Sequence, residues 1–289
     1  MRWRQWQKKQ WSEFGNSFIC SDVRKVGCNQ MELITPQQPS LFRGRVLVWF
    51  SCGAASACAA KLTLEQYPDA EILYCDTLAF EHPDNRRFIA DVEKWIGKEI
   101  KILRSEKYQD IFDVFDKTGW LVGVSGARCT QELKRNVREQ YQSVGDVHVF
   151  GFGVDELARI ARFKRDNPEI YLMFPLRDAG MNKQSCLDML MQEGIELPAM
   201  YKLGYKNNNC IGCVKGAKGY WNKIRVDFPE AFERMVKQER KMNVKILDVF
   251  LDKLDPSAGN YKSEFETECG VVCGGFPTQR AADAIKPRR

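Results

Sequence analysis

The period of apolar and polar positions changes along the chain, and the changes mark elements. Val46–Phe50 is an unbroken apolar, β-rich run, the mark of a strand buried on both faces. Ala54–Gln66 is Ala-rich, has helical propensity and stops before Pro68, as helices tend to. The same reading predicts strands over Glu71–Cys75, Glu99–Leu103, Asp146–Phe150 and Ile170–Phe174. It predicts helices over Pro83–Trp95 (closed by Gly97), Tyr108–Asp116, Cys129–Tyr141, Asp155–Lys164 and Lys183–Glu193 (closed by Gly194). Strands alternating with helices predict an α/β fold: a doubly wound, mostly parallel five-stranded sheet with helices on both faces. Residues 198–225 are rich in Gly and Asn and predict a structured loop, followed by a helix over Phe228–Lys245. Residues 255–275 read as loop. Three parts follow: an N-terminal extension (1–44), an α/β domain (45–200), and a Cys-rich loop with a helical C-terminal part and tail (201–289).

Composition narrows the class. Of 289 residues, 44% are hydrophobic and 28% charged, so a sizeable core is available and a mostly disordered chain is excluded. No apolar run approaches the roughly 20 residues that cross a bilayer, which predicts no membrane partner. The N-terminus is polar and rich in Trp and Gln, without an apolar signal core, and predicts a cytoplasmic protein. Residues 1–45 carry eight Lys/Arg against three Asp/Glu, and 280–289 carry four against one, so the net +6 lives in the tails. Such tails can bind nucleic acid or can be solvated arms. Eleven Cys in a reducing compartment do not predict a disulfide framework. Cys58, Cys75 and Cys186 sit in apolar contexts and read as core.

In an open parallel sheet, ligands bind outside the carboxyl ends of the strands. Here the first strand runs straight into Ser51-Cys52-Gly53-Ala54-Ala55-Ser56 and then a helix. Small residues let backbone N–H groups approach an anion, the helix N-terminus adds its dipole, and Ser51 and Ser56 add hydroxyls. The segment is a candidate phosphate cradle, though any tight strand–helix turn favours small residues. It is not a Walker A loop, since no Gly-Lys-Ser/Thr follows. Asp76 and Thr77 end the second strand, where they can reach a ligand or cap the next helix. Arg159 and Arg162 lie three apart on one helix, placed to clamp an anion or simply to face solvent. Glu81 and His82 are a candidate acid–base pair, against a plain surface-loop reading.

Val48-Trp49-Phe50-Ser51-Cys52-Gly53-Ala54-Ala55-Ser56 resembles the PP-loop of the adenine nucleotide alpha-hydrolase superfamily, and within it the phosphoadenosine phosphosulfate (PAPS) reductase family. Four further segments agree in order: Tyr74-Cys75-Asp76-Thr77 with Glu81-His82-Pro83-Asp84; Arg128-Cys129-Thr130 through Leu133-Lys134; Gly151-Phe152 to Asp155-Glu156 and Arg159; and Asn209-Cys210-Ile211-Gly212-Cys213. The resemblance covers about residues 45–235. It implies an adenine nucleotide held by Ser51, Cys52, Gly53, Ala54, Ser56, Asp76, Thr77, Arg159 and Arg162. The chain departs from the ATP-cleaving members, which carry Ser-Gly-Gly-x-Asp-Ser. Cys52 stands at their first Gly and Ala55 at the Asp implied to help hold Mg²⁺ and pyrophosphate. That tilts the expected nucleotide from ATP toward a PAPS or APS type.

Cys210-x-x-Cys213 lies among Gly and Asn, a spacing that puts two thiolates on one tight turn, for a metal or cluster or as a redox pair. Cys129 opens a helix, where the dipole lowers a thiol pKa, and its family position is a cluster ligand. The family's Cys-Cys pair is Cys129-Thr130 here, so one ligand must come from elsewhere, and Cys273 is the candidate. Four thiolates suit a 4Fe-4S cluster or, alternatively, Zn²⁺. Glu268-Cys269-Gly270 resembles the family's Glu-Cys-Gly tail, whose Cys attacks the sulfonate sulfur, although the His that usually follows is absent. Cys269 is therefore the candidate nucleophile, with a ligand role as its rival.

Three functions remain open. The first is a sulfonucleotide reductase-like enzyme with an iron–sulfur cluster, served by a thiol or other electron donor. The second is an ATP- and Mg²⁺-dependent adenylating enzyme that transfers sulfur to nucleic acid. The third is a non-catalytic nucleotide or nucleic-acid binder.

Overall fold

Five short apolar segments line up as one parallel sheet in a computed structural model that describes residues 44–123 and 126–264. The strands are β1 (Val46–Phe50), β2 (Glu71–Cys75), β3 (Ile100–Leu103), β6 (Val147–Val149) and β7 (Tyr171–Met173), in the order β3-β2-β1-β6-β7. Val48 pairs with Ile72 on one side and Val149 on the other, so β1 is central and apolar throughout, as the sequence predicts. The chain steps outward from β1 through β2 to β3, then returns to the other side of β1 as β6. The order thus reverses at the β1/β6 gap, where doubly wound sheets leave a crevice.

Helices cover both faces. Alternate residues of β1 and β2 point opposite ways. Leu47, Trp49, Leu73 and Cys75 join Val137, Ile160 and Phe163 in one apolar cluster. Phe50, facing the other way, stacks on Phe88 at 6.4 Å. Phe88 belongs to α2 (Asn85–Ile96). α1 (Ala54–Gln66) packs on α2 and on α6 (Lys183–Gln192). The run Ala57–Ala60 is wholly buried, with small side chains letting these helices approach closely. Cys58 donates its thiol to Cys186 O, and Cys52, Cys58, Cys75 and Cys186 are buried free thiols. The expected core role of Cys58, Cys75 and Cys186 holds.

A second apolar cluster lies beyond the carboxyl side of the sheet. It is built from α3 (Ile111–Thr118), α7 (Lys218–Asp227), α8 (Pro229–Met242) and residues 246–254 around the buried Trp221. A two-stranded antiparallel pair, β4 (Val122–Gly123) and β5 (Gly126–Ala127), leads into α4. The predicted helix 129–141 is α4, but it is not uniform. Its ends Arg128–Thr130 and Asn136–Tyr141 flank a π-helical segment, Gln131–Arg135. α5 (Leu157–Asp166) begins two residues later than predicted, after a tight turn over Val154–Glu156.

One prediction needs correction. Residues 198–225 are not all loop, because α7 occupies Lys218–Asp227. Its start is stabilised from far along the chain. The Glu264 carboxylate accepts N–H bonds from Gly219 (2.6 Å) and Tyr220 (2.9 Å), satisfying first-turn donors with a favourable charge. A Cβ at Gly219 would stand 2.5 Å from Tyr261 N, so glycine is the residue that admits this crossing segment. Local pattern alone sees only two glycines among lysines. All described residues fall in one compact unit, and among them no helix is long and apolar enough to cross a membrane. The extension before residue 44, Cys269 and Cys273 lie outside the described residues.

Candidate functional site

The corner between β1 and α1 is shaped by one residue in an uncommon conformation and one hydroxyl. Cys52 is fully buried at φ 59, the left-handed region that side chains with a Cβ rarely adopt. Gly53 then caps α1 and Ala54 opens it. The Ser56 Oγ sits inside the bend. It accepts from Ser51 N (3.0 Å) and Gly53 N (3.3 Å) and lies 3.2 Å from the exposed Ser51 Oγ. The Ala54 N–H reaches Tyr201 Oη at 3.4 Å, a long bond at the mouth of the helix. Across the β1/β6 gap, a Cβ on Gly151 would come 2.8 Å from Ala55 O, so only glycine lets the end of β6 press on the start of α1. The corner is therefore a bent backbone at a helix N-terminus, at the position where the strand order reverses.

Other predicted ligand residues are placed as follows. The Asp76 carboxylate accepts from Leu78 N (3.1 Å) and pairs with Arg104 (2.8 Å), so it caps the turn after β2. The Thr77 hydroxyl is buried and donates to Glu81 Oε1 at 2.6 Å. Arg159 pairs with Glu156 and stacks 4.1 Å over the Phe152 ring, while Arg162 is half-buried one turn on. Glu81 and His82 do not share a task. Glu81 is buried in a hydrogen-bond network, whereas His82 Nδ1 accepts from Asp84 N and its ring meets the edge of Phe228. Burial pushes the Cys52 thiol well up, and the nearby Glu81 charge adds to it, so this thiol is no nucleophile at neutral pH. Burial likewise pushes Cys75 up, to about 12.

The Cys-x-x-Cys segment forms a tight turn. Gly212 takes φ 75 at its apex, Cys210 is half-buried and Cys213 is buried. Tyr220 closes it: the phenol accepts from Cys213 N (2.9 Å) and donates to Cys210 O (3.1 Å). Burial drives the Tyr220 pKa well up, with the two neighbouring Cys adding to it, so the phenol stays protonated and keeps both bonds. Cys129, at the start of α4, is half-buried and packs against the same apolar cluster that holds Cys213. This donor set is all sulfur and suits a thiolate-ligated metal. Among the described residues no group of three or more His, Cys, Asp or Glu is drawn together to hold a metal ion.

The corner and the Cys turn are tied together by a residue that sequence reasoning passed over. Asn208, two positions before Cys210, is buried and donates through Nδ2 to Cys52 O (2.6 Å) and Asn85 Oδ1 (2.8 Å). Asn85 in turn donates to Glu81 Oε2 at 2.6 Å. The polar run Asn207-Asn208-Asn209 was its only sequence signal, and that signal does not say which partner it meets.

No family model matches the chain. It is 26% identical over 195 residues to an uncharacterized protein of Methanocaldococcus jannaschii, a match covering 65% of this chain and 40% of that protein. The chain thus spans well under half the length of this relative.

Proposed function

We propose that this chain is a sulfonucleotide reductase-like enzyme. It binds an adenine nucleotide of the PAPS or APS type by its anionic end at the β1–α1 corner and carries a 4Fe-4S cluster on Cys129, Cys210, Cys213 and Cys273. The observation that carries this reading is the 2.6 Å bond from Asn208, beside the Cys turn, to the Cys52 carbonyl of the corner. Two segments with separate chemical signatures are thereby neighbours in space. The absence of a carboxylate at Ala55 favours a nucleotide that is not cleaved between its α- and β-phosphates.

In this reading the corner orients the nucleotide through its backbone N–H groups and Ser51 Oγ. Arg159, held by Glu156 and Phe152, offers positive charge from α5 to the sulfonate or phosphate. The Cys269 thiolate attacks the sulfonate sulfur, the bond from that sulfur to the phosphate oxygen breaks, and the nucleotide phosphate departs. A second thiol, from an electron donor, then attacks the Cys269 sulfur, so sulfite leaves and a disulfide remains. When bound, the cluster supplies a polarising soft-metal centre beside this sulfur chemistry.

Anaerobic purification with metal analysis tests the assignment together with a turnover assay. About four irons per chain, PAPS or APS binding and sulfite release lost in Cys269→Ser are expected. Zinc without iron would replace the cluster by a Zn²⁺ site. Pyrophosphate release from ATP with Mg²⁺ would replace the reaction by adenylation for sulfur transfer to nucleic acid. Absent turnover, with DNA or RNA binding that falls steeply with salt, would leave only a binder.

A further inference from the structure

The buried relay from Glu81 to Cys52 has a direction, and the direction gives it a role. Glu81 is 5% exposed, and both its carboxyl oxygens accept here, Oε1 from the Thr77 hydroxyl and Oε2 from Asn85 Nδ2. The second bond turns Asn85 Oδ1 toward Asn208. Asn208 must then present its amide nitrogen to both Asn85 and Cys52 O. The accepting Glu81 oxygen at the base thus orients both amides above it. At the top lies the peptide of Cys52, held at φ 59 in the left-handed region that a residue with a Cβ disfavours. Such conformations persist when the surroundings over-determine them. Asn85 is wholly buried and Asn208 is 5% exposed, so water is a poor substitute for either partner.

We propose that Asn208, oriented by Asn85 and Glu81, is a positioning residue of the corner: it holds the Cys52 peptide in the left-handed form that aims the loop at an anion. This rests on the reading of the corner as a nucleotide site, and it adds a residue outside the loop that decides how well the loop binds. Without the bond, Cys52 relaxes toward extended backbone and the competent fraction of corners falls. Apparent affinity falls in proportion to that fraction. A glycine at position 52 carries no such bias, because it takes positive φ freely. The relay thus predicts a specific pattern of rescue.

The test measures two quantities on the full chain: amide hydrogen exchange at residues 51–55 without ligand, and the Kd for adenosine 3′,5′-bisphosphate by calorimetry. Asn208→Leu is expected to speed exchange at the corner and weaken binding about tenfold or more. Glu81→Gln, which keeps the volume but can turn an NH₂ toward Asn85, is expected to do the same to a lesser degree. Cys52→Gly placed in the Asn208→Leu background is expected to recover most of the affinity, measured against Cys52→Gly alone. Lower melting temperature with unchanged corner exchange and unchanged Kd in Asn208→Leu would overturn the proposal, as would binding loss that Cys52→Gly leaves unrepaired. If the wild-type chain binds no adenine nucleotide, the functional reading falls, and the exchange comparison alone decides whether Asn208 positions the corner.

Discussion

The sheet with its corner and the Cys turn with its helical surround are stabilised by different kinds of contact. In the sheet, each strand lies beside the strand or helix that precedes it, and apolar burial dominates. The corner is made by Ser51 to Ser56, with its loop bonds supplied by Ser56 itself. In the second region, polar groups arrive from afar. Glu264 caps α7 from 45 residues away, and Tyr220 spans the Cys turn. Asn208 crosses 156 residues to reach Cys52. The difference teaches that the corner's inner bonds are local, while its edges are held by distant residues: Asn208 on the Cys52 carbonyl and Tyr201 at the Ala54 N–H.

Substitutions can break that comparison. The largest expected effect is in the second cluster. Trp221→Ala removes a wholly buried ring and should cost about 3–5 kcal/mol in urea unfolding, about as much as Phe163→Ala on the sheet face. A loss below about 1 kcal/mol for Trp221→Ala would mean the second region adds little to the cooperative fold. Tyr220→Phe should cost about 2–3 kcal/mol, because Cys213 N–H and Cys210 C=O lose their shared partner inside the protein. It should also speed alkylation of Cys210 and Cys213 while leaving Cys58 and Cys186 protected.

The sheet side has its own pH signature. Burial, reinforced by the Arg138 charge, lowers the His148 pKa from the usual value near 6.5 to about 4, and Trp49 Nε1 donates to its Nδ1 at 3.0 Å. The unfolded chain binds this proton more readily than the folded one. Stability is therefore full above pH 6.5 and falls as pH drops toward 4. The loss between pH 7 and pH 5 should be about 2 kcal/mol and should vanish in His148→Gln. An unchanged pH slope in that variant would assign the loss elsewhere. The smallest effect is expected for Glu264→Gln, about 1 kcal/mol, from a weakened cap on α7. Its signature is faster exchange at 219–221 with β1 unaffected.

How much of this was legible beforehand follows from the same contrast. β1, α1 and β2 begin and end where the pattern predicts, since a buried strand and an Ala-rich helix write their limits into adjacent residues. α7 was hidden because its cap and its close neighbour, Glu264 and Tyr261, lie far along the chain. The π segment in α4 carries no mark in its apolar period. Thr77 reads as a ligand-reaching residue at a strand end and Glu81 as half of an acid–base pair, yet the chain turns them inward onto each other. Asp76 is engaged by Leu78 N and Arg104, in keeping with the capping reading that stood beside its ligand reading.

The central claim is that the β1–α1 corner receives the anionic end of an adenine nucleotide. Amide hydrogen exchange with and without adenosine 3′,5′-bisphosphate tests it most directly. The account predicts added protection concentrated at residues 51–57, with a second patch at 151–154 across the β1/β6 gap. Tight binding that leaves 51–57 unchanged, with protection elsewhere, would contradict it.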